Sequence, residues 1–251
     1  MPTWDADLYL RFAGERGRPA VDLISRIHLQ NPARILDVGC GPGNSIEMLH
    51  ARWPEAAMTG VDTSSEMLEK ARAAYPQWTW IAADAAQWTS ERPYDLVFSN
   101  AVLHWVPRHD EALPHLWKMV APKGALAAQM PGNFHAPSHR IMEEAAAELG
   151  VKIPAKAGVE SLAFYYDLLQ PVASELDLWE TEYLHVMEND EAILEWVRGT
   201  GMRPYLDALA TDEQKRRFQD LCLARYAQAY APRPSGKVLF PFRRLFMIAY
   251  R

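Results

Sequence analysis

The sequence predicts an α/β protein built on a doubly wound, mostly parallel sheet of seven strands. Short apolar runs alternate with helical patterns through the first half of the chain. Regular alternation of this kind is typical of parallel sheets covered by helices on both faces. Glycine or polar residues follow the ends of these runs, where doubly wound sheets bind their ligands. The predicted strands are 35–38, 58–61, 78–82, 94–98, 124–130, 175–186 and 244–250.

The first strand, 35–38, leads into a turn with glycine at alternate positions, Gly39, Gly41 and Gly43. Glycine allows a sharp turn and lets a ligand approach the main chain, and the following helix presents unpaired N–H groups. The spacing differs from the dinucleotide fingerprint G-x-G-x-x-G, because Asn44 stands where its third glycine would fall. The turn is therefore either a nucleotide-cofactor loop or a purely structural connection.

Acidic residues accompany the ends of the first three strands. Asp37 precedes the glycines, and Asp62 closes the second strand about twenty residues beyond them. An acid at the position of Asp62 can accept hydrogen bonds from both hydroxyls of a ribose. Asp84 follows the third strand, where it either contacts a ligand or caps a short helical turn through Trp88. These acids indicate an adenosine-containing cofactor, either a nicotinamide dinucleotide or S-adenosylmethionine.

The regular alternation ends at Pro131, and helical patterns dominate the remaining chain. Helices are predicted over 137–149, 158–170 and 189–231, with a break at 199–204. The helical segment between the last two strands is expected to pack over the sheet as a lid. The predicted parts are an N-terminal helical flap (1–30), a cofactor-binding core (31–131) and a helical lid insertion (188–235), within a single domain (1–251).

Composition narrows the partners and the compartment. The formal net charge of -6 disfavours a nucleic-acid partner, since phosphate binding usually needs a basic face. The two cysteines, Cys40 and Cys222, predict neither a disulfide framework nor a metal site. The N-terminus lacks a signal pattern, and no apolar stretch approaches about 18 residues. We expect a cytoplasmic protein with no membrane association and no obligate protein partner.

Two motifs carry a resemblance to a known family. Asp-x-Gly-x-Gly-x-Gly at 37–43, and Asp-Leu-Val-Phe-Ser-Asn at 95–100 followed by Leu-His-Trp at 103–105, resemble the first and fourth motifs of the class I S-adenosylmethionine-dependent methyltransferases. The resemblance implies a Rossmann-like methyltransferase sheet and S-adenosylmethionine as cofactor. It implies cofactor contacts at Asp37, Gly39, Gly41, Gly43, Asp62, Thr63, Met67, Asp84, Ala85 and Asn100.

Segments outside these motifs narrow the resemblance. Residues 9–12 with 15–20, then 128–131, 200–204 and 244–248, together resemble the trans-aconitate methyltransferases. That family esterifies a carboxylate of a small tricarboxylic acid with the sulfonium methyl group. A carboxylate with a pKa of about 4 is already ionised at neutral pH. We therefore expect no catalytic base and no metal, and catalysis by alignment and exclusion of water.

A trianionic substrate needs local positive charge in an acidic protein, and arginine suits carboxylates best. Arg11, Arg16 and Arg18 stand in the flap, Arg203 in the break of the lid, and Arg243 and Arg244 at the last strand. Each of them is individually more typical of a solvated surface. The predicted substrate-binding set is Tyr9, Arg11, Arg18, His104, Trp105, Gln129, Tyr165, Trp196, Arg203 and Arg244, with His104 and Trp105 bordering the methyl group.

Other functions remain open at this point. A nicotinamide-dependent oxidoreductase would need a glycine at position 44 and a proton-donating Tyr–Lys pair, and neither is evident. A cofactor-binding module without catalysis has no positive support. Within the methyltransferases, the acceptor could be another small acid, or a nitrogen or carbon atom with His104 as the nearest base. His104 could equally be a structural residue.

Overall fold

The structure is a computed structural model that describes residues 13–151 and 158–251, without the side chains of Ala13 and Arg16. Within these ranges, no helix is long and apolar enough to cross a membrane. Seven strands form one sheet in the order β3-β2-β1-β4-β5-β7-β6. They are β1 (Arg34–Val38), β2 (Ala57–Asp62), β3 (Thr79–Ala82), β4 (Tyr94–Asn100), β5 (Val120–Pro131), β6 (Glu175–Met187) and β7 (Val238–Tyr250).

The pairing confirms the predicted fold class, a seven-stranded and mostly parallel sheet. β1 pairs in parallel with β2 and β4, β2 with β3, and β4 with β5. β7 then pairs with β5 in the antiparallel direction. Parallel neighbours end at the same edge of a sheet, so the turns after β1, β2 and β4 gather there. This edge contains the acids and glycines that the sequence singled out.

Helices connect the strands. They are α1 (Ala13–Arg26), α2 (Asn44–Arg52), α3 (Ser65–Ala74), α4 (His109–Lys118), α5 (Pro137–Glu148), α6 (Leu162–Leu169), α7 (Asp190–Arg198), α8 (Arg203–Ala208) and α9 (Asp212–Ala229), with a 3₁₀ helix at Leu103–Trp105. Ser64 caps α3 by accepting a hydrogen bond from the amide of Met67 at 3.3 Å. Thr211 and Gln214 form a capping box at the start of α9.

Two strands begin several residues earlier than predicted. β5 begins at Val120 instead of 124, and β7 begins at Val238 instead of 244. Pro241 lies inside β7, although a proline usually marks the edge of a strand. The register between β5 and β7 ends at the pair Pro131 and Arg244, so Pro241 deprives β5 of no hydrogen bond. Pro241 therefore lies within β7 and does not mark its start.

The described chain divides into two compact units. One, here called the sheet unit, contains 16–131, 158–181 and 244–251. Its core packs apolar side chains of the strands, including Leu36, Val97, Leu126 and Met247.

The second, here called the helical unit, contains 13–15, 132–151 and 182–243. Its core centres on aromatic side chains, among them Trp196, Tyr205, Phe218 and Phe240. Helices α7, α8 and α9 fall in this unit and cover the segment predicted as a lid. Closure by that segment stays a prediction.

Candidate active site

The glycine turn after β1 uses its three glycines for different reasons. All three have positive φ angles, +69° at Gly39, +53° at Gly41 and +97° at Gly43. A Cβ at Gly39 would lie 2.3 Å from the side chain of Val102, and one at Gly43 would lie 2.9 Å from the ring of Trp80. A Cβ at Gly41 would meet no described atom within 4 Å. Gly39 and Gly43 are therefore fixed by packing, whereas Gly41 faces open space that a ligand can enter.

Asp62 ties the glycine turn to the second strand. Its Oδ2 accepts a hydrogen bond from the amide of Gly41 at 2.8 Å, and its Oδ1 accepts one from the amide of Ser64 at 2.8 Å. Each carboxylate oxygen keeps a second lone pair. The predicted ribose contact is compatible with these bonds and stays a prediction.

Asp37 is the most unusual group of the site. It is 1% exposed, and neither carboxylate oxygen has a hydrogen-bond partner among the described residues. Burial, and secondarily repulsion from Asp62, raise the pKa of Asp37 well above its ordinary value. A buried polar group without a partner is costly to the folded state. A cationic donor bound at the glycine turn would remove that cost, so Asp37 fits a cofactor that carries an ammonium group.

The predicted cofactor contacts after β2 and β3 have mixed surroundings. Met67 is buried at the start of α3, whereas Thr63 is exposed and Ala85 is half-buried. Asp84 is exposed and caps the turn that follows it, because its Oδ1 accepts from the amide of Ala86 at 2.9 Å. The capping alternative is thus observed. Contact of Asp84 and Ala85 with the cofactor stays a prediction.

The ends of β4 and β5 carry a row of hydrogen-bonded polar side chains. Asn100 Nδ2 donates to Ser45 Oγ at 3.2 Å, and Gln129 Nε2 donates to Asn100 Oδ1. Arg244 Nη1 donates to Gln129 Oε1 at 3.4 Å, and Arg244 is only 5% exposed. The register places Asn100 opposite Gln129, which explains their contact. The structure thus brings together three predicted site residues, and it adds Ser45, which the sequence reasoning missed.

The backbone after β4 is strained. Ala101 has a φ of 56°, a left-handed conformation that costs an alanine roughly 1 kcal/mol or more. Its amide donates to the carbonyl oxygen of Gln129 at 2.9 Å. His104 follows in the 3₁₀ helix, 8% exposed, with its ring 4.6 Å from that of Trp105, which is half exposed. Such strain is common at functional turns, and no sequence signal predicted it.

Tyr165 lies in the sheet unit, and its hydroxyl is engaged within the protein. It lies 2.7 Å from Nδ1 of His109 and accepts a hydrogen bond from the amide of Glu160 at 3.0 Å. His109 Nε2 lies 2.8 Å from the carbonyl oxygen of Leu103, so a neutral ring donates there and accepts at Nδ1. Tyr165 and His109 therefore hold the 3₁₀ helix that carries His104. Contact of Tyr165 with a substrate stays a prediction.

Other predicted substrate contacts belong to the helical unit, to α1 or to residues outside the described ranges. Trp196 is 2% exposed in the helical unit, with its ring 4.7 Å from that of His185. Arg203 begins α8 in the same unit and is half-buried. Arg18 is exposed in α1. Two further predicted contacts lie outside the described residues, and these are Tyr9 and Arg11.

The helical unit also contains buried polar groups that the sequence reasoning missed. Asn133 is 5% exposed, and neither atom of its amide group has a hydrogen-bond partner among the described residues. No cluster of three or more histidine, cysteine or acidic side chains that could hold a metal ion occurs in residues 13–151 and 158–251.

Comparison with known proteins finds that this chain is similar to methyltransferases. A family model described as "Methyltransferase domain" matches residues 35–124. A trans-aconitate 2-methyltransferase of Azoarcus sp. (strain BH72) is 49% identical, with all of both chains aligned. Proteins of the same name from Methylobacterium nodulans and Escherichia coli O157:H7 are 46% and 42% identical, each covering 100% of this chain and 99% of its own.

Solved structures share the architecture. A phosphoethanolamine N-methyltransferase 2 of Haemonchus contortus, in complex with S-adenosyl-L-methionine, aligns with a TM-score of 0.61 at 15% identity, over 97% of this chain and 56% of its own. The YcgJ protein of Bacillus subtilis aligns with a TM-score of 0.60 at 14% identity, over 93% and 98%. At these identities the likeness shows the fold alone.

Proposed function

Because this chain belongs to the family of the trans-aconitate 2-methyltransferases, we propose that it methylates a carboxylate of trans-aconitate with S-adenosylmethionine, forming a methyl ester. The family assigned from the sequence is confirmed by relatives that match over the full length. The observation that carries the chemistry is the buried cation Arg244, linked through Gln129 and Asn100 to the helix after the glycine turn. It supplies positive charge for an acidic acceptor beside the cofactor loop.

The glycine turn and its acids fit the proposed cofactor. Asp37 would pair with the cofactor's ammonium group, and the open face of Gly41 would admit its methionine part. S-adenosylmethionine supplies an electrophilic methyl group on a sulfonium sulfur. The remaining proposed cofactor contacts are Gly39, Gly43, Asp62, Thr63, Met67, Asp84, Ala85 and Asn100.

The acceptor needs orientation more than activation. A carboxylate with a pKa of about 4 is ionised at neutral pH, so its oxygen is already nucleophilic. A buried guanidinium can hold a carboxylate through two parallel hydrogen bonds and fix the angle of approach. Arg244 is 5% exposed, so water competes weakly for such a pair. The protein's contribution is therefore alignment and exclusion of water.

A second candidate is transfer to a nitrogen or carbon atom, which usually requires a base. The buried ring of His104, after the strained turn at Ala101, is the group that favours it. Another small acid is also compatible with the Arg244 site. The oxidoreductase alternative is set aside, because the family is one of methyltransferases.

The test is transfer of labelled methyl from S-adenosylmethionine to a panel of acceptors. The panel contains trans-aconitate, cis-aconitate, isocitrate, citrate, and small amines of similar size. We expect preference for trans-aconitate. Because an ionised carboxylate needs no base, the variant His104→Gln should transfer methyl to trans-aconitate within about threefold of the wild-type rate. Transfer to amines but to no acid would overturn the proposal.

A further inference from the structure

Four side chains in the sheet unit form one continuous hydrogen-bonded row. The row runs from Arg244 on β7, through Gln129 on β5 and Asn100 on β4, to Ser45 in the first turn of α2. We propose that Gln129 is a positioning residue that couples acceptor binding at Arg244 to cofactor binding at Asn100. This inference rests on the proposed function, which assigns the two ends of the row to the two ligands.

The hydrogen bonds of the row have one consistent direction. Arginine only donates, so Gln129 must present its oxygen to Arg244 and its NH₂ group to Asn100. Asn100 therefore accepts at Oδ1 and gives its own NH₂ group to Ser45. The arginine at one end thus sets the orientation of both amides. The Ser45 hydroxyl accepts within the row, so its own proton is not used there.

The opposite orientation of Gln129 is disfavoured. A turned amide would bring its NH₂ group against the guanidinium and its oxygen against the oxygen of Asn100. Gln129 is 0% exposed, Arg244 5% and Ser45 8%, so water cannot readily replace the lost bonds. The row therefore adopts one arrangement, and a disturbance at one end is felt at the other.

The backbone holds the row in place. Gln129 lies opposite Asn100 in the parallel register of β4 and β5, and Arg244 lies opposite Pro131 in the antiparallel register of β5 and β7. The amide of Ala101 also donates to the carbonyl oxygen of Gln129 at 2.9 Å. Side chains on paired strands keep their spacing better than side chains on loops. Little freedom is left for Arg244 and Asn100 to adjust independently.

Coupling between the two ligands follows from this connection. A carboxylate bound to Arg244 fixes the guanidinium, and through Gln129 it fixes the amide of Asn100, so the second ligand meets a row that is already ordered. Coupling of binding free energies is reciprocal, so a ligand at the cofactor site must favour the acceptor by the same factor. We expect that factor to be about tenfold, within the usual range for coupled sites.

The test is calorimetric titration of trans-aconitate with and without saturating S-adenosylhomocysteine, the demethylated form of the cofactor. The wild type should bind trans-aconitate about tenfold more tightly in its presence. In Gln129→Met, which keeps the volume and removes the hydrogen bonds, both ligands should still bind and the ratio should fall below about twofold. Gln129→Glu should bind trans-aconitate at least about tenfold more weakly, since its carboxylate occupies Arg244.

The matched control is Ser99→Ala on β4. Ser99 is 0% exposed, and its hydroxyl bonds the carbonyl oxygen of Val38 at 3.3 Å, outside the row. It should retain the wild-type ratio, and thermal unfolding checks that every variant is folded. If Gln129→Met fails to fold, Gln129→Glu decides instead, because its carboxylate cannot donate to Asn100 and its binding ratio should also fall below about twofold. If Gln129→Met keeps the wild-type ratio of trans-aconitate affinities, the coupling role of Gln129 is overturned and the proposed function is not. Absence of trans-aconitate binding to the wild type would overturn the proposed function, and this inference with it.

Discussion

Asp37 gives the sharpest prediction, because the same residue should weaken the fold and serve the ligand. Its carboxyl group is 1% exposed and has no hydrogen-bond partner among the described residues. In Asp37→Asn the side chain keeps its shape and loses the charge that burial disfavours. The variant should therefore be more stable than the wild type at neutral pH without ligand. It should also bind S-adenosylhomocysteine about 2 kcal/mol more weakly, roughly 30-fold, because the cofactor's ammonium group loses its partner.

The size of the stability effect depends on pH. In the unfolded chain Asp37 titrates near 3.8, and in the folded protein burial and Asp62 raise its pKa well above that value. Its stabilising contribution is complete below the unfolded pKa and is lost as pH rises through the folded pKa. Between the two values unfolding releases a proton, so the free energy of unfolding falls by up to about 1.4 kcal/mol per pH unit. The amide introduced by Asp37→Asn does not titrate, so the variant lacks this part of the slope.

Urea unfolding at intervals from pH 4 to pH 7 measures the effect. The difference in unfolding free energy between Asp37→Asn and the wild type should grow with pH. Asp95→Asn is the contrasting control, since the Oδ2 of Asp95 accepts from the amides of Ala33 at 2.8 Å and Arg34 at 2.9 Å. That variant should be destabilised. A pH slope in Asp37→Asn equal to that of the wild type would refute the reasoning.

Three further outcomes follow from the site. Gly41→Ala should fold, lose roughly 1 kcal/mol of stability because of its positive φ angle, and bind the cofactor more weakly. Gly43→Ala should be destabilised further, because its Cβ would meet the ring of Trp80. Chemical denaturation measures the stability of both variants, and titration measures their cofactor affinity. Arg244→Lys keeps the charge and a donor for Gln129 but loses the planar fork, so kcat/KM for trans-aconitate should fall about 30- to 1000-fold, with a much smaller loss of cofactor affinity. Cofactor affinity falling as much as kcat/KM would contradict an acceptor role. Tyr165→Phe leaves a buried histidine without its partner and should cost about 1–3 kcal/mol of stability; an unchanged melting temperature would argue against this structural bond.

The features proposed to bind the cofactor could be predicted from the sequence, because their signals are local. A glycine with positive φ angle, an acid at a strand end and a helix cap each depend on a few neighbouring residues. Gly41 and Asp62 are examples, and the structure joins them by a hydrogen bond. The alternation of strands and helices also predicted the parallel pairing that brings these residues to one edge.

The residues of the proposed acceptor site were harder to predict from the sequence, because they are joined by contacts between distant parts of the chain. The bond from Arg244 to Gln129 spans 115 positions, and the one between His109 and Tyr165 spans 56. Nothing in the local pattern separates a buried arginine on a late strand from a solvated one. The left-handed backbone at Ala101 has no signal either, because alanine rarely adopts that conformation. The burial of Arg244 and its bond to Gln129 are therefore visible only in the tertiary structure.

We propose that this protein esterifies a carboxylate without a general base. The most direct measurement is NMR and mass analysis of the product formed from methyl-¹³C S-adenosylmethionine and trans-aconitate, before and after mild alkali. The account predicts a single methoxy signal that alkali converts to methanol, with trans-aconitate recovered. A methyl group that survives alkali because it is bound to carbon, or no labelled product from trans-aconitate at all, would contradict it.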